Sequence, residues 1–290
     1  VKLLVRASAT AANLGPGFDC LGVAFDLANE FELDTAGPAG VTVEGEGADE
    51  LPASNANLVV RTMTYVAGML TGGLPAFGLK CRNAIPLQRG LGSSATAVVA
   101  GILLADRLLG AALGPDRLLE IAVDSEGHAD NVAACLRGGL ILAHKGDDGW
   151  RAERLQPHPN LRPVLLIPLN ERVSTKDARR VLPRTIPIGD AAFTVSRAAL
   201  AVVALTRSPA LLATALEDRL HQPYRLPLMP SARALFHDLK DDGIPVCVAG
   251  SGPTLLAFEQ DGRTVQDLGP GWRVERPAFD LTGATVEQID

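Results

Sequence analysis

Aromatic residues are scarce in this 290-residue sequence, 4% in all, so a core has to be built from Leu, Val and Ala. Cysteine is scarce too. Cys20, Cys81, Cys135 and Cys247 lie far apart, with no C-x-x-C pair and no histidine at zinc spacing. That pattern argues against a zinc site or a disulfide framework and for reduced, buried thiols. A basic excess is missing as well: 27 Lys and Arg stand against 33 Asp and Glu, a formal charge of −6. The sign is wrong for a general nucleic-acid partner. No run of 18 apolar residues stands out, the longest candidate lying around 95–104, and the opening V-K-L-L-V-R is too short an apolar run for a signal peptide. These absences predict a cytoplasmic protein with neither a membrane nor a nucleic-acid partner. The oligomeric state stays open, a homodimer included.

What is present has the balance of a globular chain, 47% hydrophobic and 21% charged, long enough for one large domain or two medium ones. Strand-like runs fall at 3–7, 21–35, 41–45, 76–82 and 138–144, and helical spacing at 57–71, 95–109 and 115–126. Gly, Asp, Pro and Arg cluster around 146–163, which places a boundary there and predicts domains 1–155 and 156–290. The second half reads as strands at 164–169, 245–249 and 254–258, with helices at about 175–181, 190–206, 209–219 and 231–242. The class is α+β.

Four segments carry chemistry. In P-L-Q-R-G-L-G-S-S-A, residues 86–95, a glycine-rich turn runs straight into a helix, whose first turn offers unpaired N–H groups to a phosphate. Gly90 and Gly92 let the backbone come close, while Ser93 and Ser94 add hydroxyls for phosphate or magnesium. A Walker A loop is excluded because no lysine is present. G-x-G-x-x-A formally fits a dinucleotide fingerprint, but Pro86 precedes it and the nearest acid, Asp106, lies inside the helical run. The second segment, 8–22, packs glycines around Asn13 and Asp19, a carbonyl and a carboxylate suited to an ammonium or hydroxyl; a tight structural turn is the alternative.

In the third segment, Glu120 falls near a helix end, and a polar loop holding Glu126, His128, Asp130 and Asn131 follows. A carboxylate beside a serine hydroxyl is a common way to hold Mg²⁺. The fourth, in the second half, sets Thr175 and Arg179 on one helix face and pins Arg225 within H-Q-P-Y-R-L-P. Two fixed arginines suit bidentate capture of a carboxylate or phosphate. The break at G-S-G-P, residues 250–253, reads as a backbone approach to a ligand or as a plain strand turn.

Taken together, the amino-terminal loop, P-x-x-x-G-L-G-S-S-A and G-S-G-P, in that order, resemble the three motifs of the GHMP small-molecule kinases, over almost the whole chain. A-N-L-G-P-G-F-D, E-G-H-A-D-N, S-T-K-D-A-R and H-Q-P-Y-R are most similar to the branch acting on homoserine. The resemblance implies an amino-terminal domain with a left-handed β-α-β crossover, a ferredoxin-like carboxy-terminal domain, and ATP and Mg²⁺ between them. It assigns ATP to Pro86, Arg89, Gly90, Leu91, Gly92, Ser93, Ser94 and Ala95, with Asn57 near adenine, and Mg²⁺ to Ser94 and Glu120. It assigns a small-molecule substrate, L-homoserine, to Asn13, Asp19, His128, Arg179 and Arg225, with Asn131, Thr175 and Arg179 at the reacting end. Asn131 cannot accept a proton, so no strong general base is expected, although Asp19 or Asp130 could assist. A mevalonate- or sugar-type substrate, or a non-catalytic sensor on the same fold, are the alternatives.

Overall fold

The computed structural model describes every residue except 71, so the expected end of the 57–71 helix lies outside the described residues. Strands β1 (Lys2–Ala12) and β2 (Leu21–Asp34) form a long antiparallel pair, interrupted by a register shift between Ser8 and Ala9. Next come β3 (Gly40–Gly45), α1 (Leu58–Leu70) and β4 (Gly78–Asn83). β3 and β4 are the only parallel pair among the described residues, and α1 is the crossover between them. Helices α2 (Ser93–Leu109), α3 (Pro115–Glu126) and α4 (Asp130–Arg137) lead to the hairpin β5 (Leu140–Gly146) and β6 (Gly149–Leu155), which joins the sheet along β2.

A second sheet is built from β7 (Pro163–Pro168), then, beyond α5 (Thr175–Arg180), α6 (Ile188–Thr206), α7 (Leu212–Ala215), α8 (Gln222–Arg225) and α9 (Pro230–Asp241), from β8 (Val246–Val248), β9 (Leu255–Phe258) and β10 (Trp272–Glu275). Its order, β10-β7-β9-β8, is antiparallel throughout. That is the order of a split β-α-β unit, with the connection from β9 to β10 free of helix. Both α+β character and two sheets are therefore present.

The second half of β1, A-S-A-T-A-A, is buried on both faces, whereas residues 2–6 alternate. Side chains alternate across a strand, so double burial means layers on both sides. One layer is the helical core against α1 and α2, with Met63, Val99 and Ile102; the other is a core shared between the sheets, where Ala9, Ala11 and Phe25 meet Ile167, Ala201 and Phe258. Only small residues leave room for both.

The structure corrects several expectations. The switch between sheets does fall after residue 155, but the chain does not stay in the second unit: β11 (Thr285–Gln288) returns to pair with β1, anchored by the Ser8 hydroxyl donating to Asp280 at 2.6 Å. Residues 149–155, read as a boundary, form β6. The expected helix at 209–219 shrinks to a short turn and α7. The helix expected at 115–126 is present as α3 and carries Glu120 and Glu126 alike; Gly127 caps it in the left-handed region and Asp130 opens α4, so the polar stretch expected to be a loop after Glu120 is loop only at 127–129. The longest apolar helix is α6, not the 95–104 run; by length and composition it could cross a membrane, yet it packs Ala201, Ala204 and Leu205 into the core and ties Arg197 to Glu217.

Candidate active site

α2 starts at Ser93 with its N-cap, Gly92, at φ 69°, so its first N–H groups point into a cleft between the two sheets. The two loop glycines are required for different reasons. A Cβ on Gly92 would fall on the Thr10 hydroxyl, and one on Gly90 (φ 74°) on the Ala249 carbonyl oxygen, with Gly252 N at 2.8 Å. The G-S-G-P turn therefore lies backbone to backbone against the loop, holding it from behind; only Gly250 and Ser251 reach the cleft itself. Gly90→Ala should cost at least about 2 kcal/mol, read as a lower urea midpoint, because neither backbone can yield.

Arg89 is buried and clamps the same loop to the second unit, donating from Nε to the Pro168 carbonyl (2.9 Å) and from Nη2 to that of Leu169 (2.8 Å). Asn29 braces it from the first sheet, accepting from the N–H groups of Ala84 and Ile85. Pro86, Gly90, Leu91, Gly92, Ser93 and Ser94 all line the cleft, which encloses about 720 Å³, part of it open to solvent. Ala95, the third residue of the helix, is fully buried in the core. A second, mostly apolar slot shares Gln88, Ser93 and Ser94 with the cleft and is lined by Phe31, Leu51, Leu58 and Val59. Asn57 edges this slot, but its amide is engaged in starting α1, accepting from Val59 N and donating to the Pro52 carbonyl.

The Ser94 hydroxyl donates to Glu126 at 2.8 Å. Glu120 is elsewhere: it pairs with Arg117 and packs at Gly149. The assignment of Glu120 as partner of Ser94 is therefore corrected to Glu126. Six residues along a helix turn a side chain by about 240°, so the two carboxylates cannot share a face. Burial pushes the Glu126 carboxyl above the ordinary carboxylate range, against the pull of the Ser94 hydrogen bond and of His128. A half-buried carboxylate beside one exposed hydroxyl, with no cluster of three acidic, His or Cys ligands among the described residues, fits Mg²⁺, which takes few protein ligands and completes its shell with water and phosphate.

His128 stands between Glu126 and Asp130, Nδ1 donating to Asp130 at 3.1 Å and Nε2 at 4.0 Å from Glu126. Burial opposes its charge, but the Asp130 hydrogen bond and the two carboxylates win, and its pKa rises. Asn131 is held by the Thr10 hydroxyl, which donates to its Oδ1 at 2.8 Å, while its Nδ2 lies 3.5 Å from Asp130. Reversing the amide would set two oxygens against each other, so Asn131 shows the cleft a donor.

At the other end, both Asp19 oxygens accept from Arg179, at 2.7 and 3.1 Å. Asn13 is engaged structurally, accepting from Asp19 N and donating to the Gly250 carbonyl. Thr175 is exposed at the first turn of α5 and faces the cleft. Arg225 is 2% exposed and has no carboxylate at ion-pair distance among the described residues; burial, and then Arg179, lower its pKa to about 10. Next to it His221 is wholly buried and its pKa is pushed down to about 4, chiefly by burial. An unfolded chain would bind a proton on this histidine below about pH 6.5 that the folded chain refuses, so stability should fall as the pH drops from there toward 4. Urea midpoints across that range should fall less steeply for His221→Gln than for the wild type.

The structure thus gathers Asn13, Asp19, His128, Asn131, Thr175, Arg179 and Arg225 with the phosphate loop in one cleft and leaves Glu120 out. Glu126 was legible as part of E-G-H-A-D-N, but Thr10 carried no sequence signal; only its register opposite Gly92 and Asn131 reveals it.

Comparison with known proteins agrees with this geometry. Residues 57–139 match the family model for the GHMP kinases N-terminal domain. The chain is 42% identical to a homoserine kinase of Streptomyces avermitilis, over 97% of this chain and 94% of that one. It is 43% identical to one of Streptomyces coelicolor, over 97% and 93%. Among solved structures, homoserine kinase from Cytophaga hutchinsonii superposes with a TM-score of 0.83 at 28% identity, over 99% and 97%. Such identity over nearly full length, on a cleft that joins a glycine loop to the Ser94–Glu126 pair, has one reading: this chain belongs to the homoserine kinases of the GHMP kinase family.

Proposed function

We propose that the cleft transfers the terminal phosphoryl group of ATP to the side-chain hydroxyl of L-homoserine. The observation that carries this reading is the pairing of two unlike ends in one cavity. A helix N-terminus and glycine loop suit polyphosphate at one end, and a buried arginine without a counter-ion suits a small carboxylate at the other.

The nucleotide base fits the slot beside Leu58 and Val59, and its phosphates the N–H groups at the start of α2. Ser94 and Glu126 would hold Mg²⁺, which neutralises phosphate charge when bound. Arg225 orients the substrate carboxylate. Asp19, held flat by Arg179, receives the ammonium on its outer edge, so the amino acid is gripped at both charges. That leaves its hydroxyl toward Asn131 and Thr175. Asn131 donates a hydrogen bond and takes no proton, and both Asp19 oxygens are engaged by Arg179. Positioning and charge neutralisation, rather than a strong base, then lower the barrier.

Purified protein in a coupled ADP-release assay should turn over with L-homoserine and ATP in the presence of Mg²⁺. Preference for a mevalonate- or sugar-type alcohol would overturn the substrate, and nucleotide binding without turnover on any alcohol would overturn the activity.

A further inference from the structure

The H-Q-P-Y-R segment contributes a residue besides Arg225. His221 is the N-cap of α8 and Arg225, one turn on, is its last residue; the histidine has no contact with solvent. Its Nε2 lies 2.7 Å from the Gly15 carbonyl, and its Nδ1 lies 3.3 Å from Arg225 Nη1. An arginine can only donate, so Nδ1 must be the acceptor and Nε2 must carry the proton. The Gly15 carbonyl, which can only accept, demands the same tautomer. Arg225 Nη1 also donates to the Gly250 carbonyl at 2.9 Å. Phe18 lies against both groups, its ring centroid 5.4 Å from that of His221 and 5.3 Å from the guanidinium carbon. Other charges near the imidazole are Asp218, whose Oδ2 is 3.6 Å away and already accepts from the His221 and Gln222 N–H groups, and, more distantly, Asp19.

We infer that His221 is a positioning residue for substrate capture: its Nε2–H tautomer, locked by the Gly15 carbonyl, presents Nδ1 as an acceptor that aims the Arg225 guanidinium at the substrate carboxylate. A buried guanidinium held only by carbonyls and a neutral ring keeps its charge available, which a carboxylate in the place of His221 would cancel. Phe18 closes the open face and limits the swing of the arginine.

This rests on the function proposed above, and the test separates the two. Glutamine at 221 can still donate to Gly15 but offers Arg225 no acceptor at the Nδ1 position; asparagine keeps an acceptor there and loses the Gly15 bond. His221→Gln should raise KM for L-homoserine about tenfold, with kcat and KM for ATP within about twofold, since one hydrogen bond to a charged group is lost. His221→Asn should stay within about threefold of wild type. With aminopropanol, the same alcohol without its carboxylate, His221→Gln should match wild type in kcat/KM. A KM for His221→Gln no higher than that of His221→Asn, or an equal loss on both substrates, overturns the inference. Should either variant fail to fold, a long-range proton–nitrogen correlation spectrum of labelled wild-type protein decides: protonation at Nε2 supports the assignment and protonation at Nδ1 overturns it. Wild-type protein inert toward homoserine would refute the proposed function instead.

Discussion

Glu126→Gln should lower kcat by about two to three orders of magnitude, while Glu120→Gln changes it by less than about twofold. The contrast follows from placement. Glu126 is half-buried, accepts from Ser94, and lines the cleft beside the phosphate loop. Glu120 is tied to Arg117 on another face of the same helix. Glutamine keeps the Glu126 shape and one acceptor but removes the negative charge that a divalent cation needs, so the loss should appear as a raised Mg²⁺ requirement together with the fall in kcat. Thermal stability should hold or rise, because a half-buried carboxylate with an elevated pKa is replaced by a neutral group. Titrating activity with Mg²⁺ for both variants checks the prediction. Equal losses at 120 and 126 would remove the metal assignment.

Arg225→Met should raise KM for L-homoserine at least about a hundredfold, with KM for ATP nearly unchanged. Among the described residues no carboxylate lies at ion-pair distance from this arginine, so a ligand carboxylate would be its first direct counter-ion. A methionine of similar length removes a buried cation that is held by carbonyls and a neutral ring and by no carboxylate at ion-pair distance among the described residues, and so the melting temperature should be equal or higher even as substrate capture collapses. That divergence between stability and affinity distinguishes a binding residue from a structural one. Arg179→Met should behave differently. Its guanidinium already neutralises Asp19, and removing it frees that carboxylate beside the site, so both substrate affinity and stability should drop.

Much of the site was legible because its chemistry is local. A glycine turn feeding a helix can be read from residues 90–95 in isolation, since the unpaired N–H groups come from the helix itself. The segments bearing Asn13, His128, Thr175 and Arg225 were likewise marked by polar residues among turn-formers. What failed was geometry over distance. Glu120 and Glu126 look alike in a sequence and lie on the same helix, and the choice between them depends on which face of α3 turns toward Ser94. The return of β11 to β1 carried no signal, because T-V-E-Q is a short, mostly exposed edge whose pairing depends on a partner some 280 residues earlier.

The residues alone marked the α+β class, the glycine turn feeding a helix, and two arginines suited to an anion, all of which follow from local backbone chemistry and charge. Tertiary structure decided which carboxylate meets Ser94, that G-S-G-P braces the loop from behind, that Asp19 is held by Arg179, and that Arg225 stands buried among carbonyls and His221 with no carboxylate at ion-pair distance among the described residues. The reason is physical: hydrogen bonds and ion pairs weaken steeply with distance and angle, and the ångströms separating these groups are set by how two sheets pack around a spine of alanines.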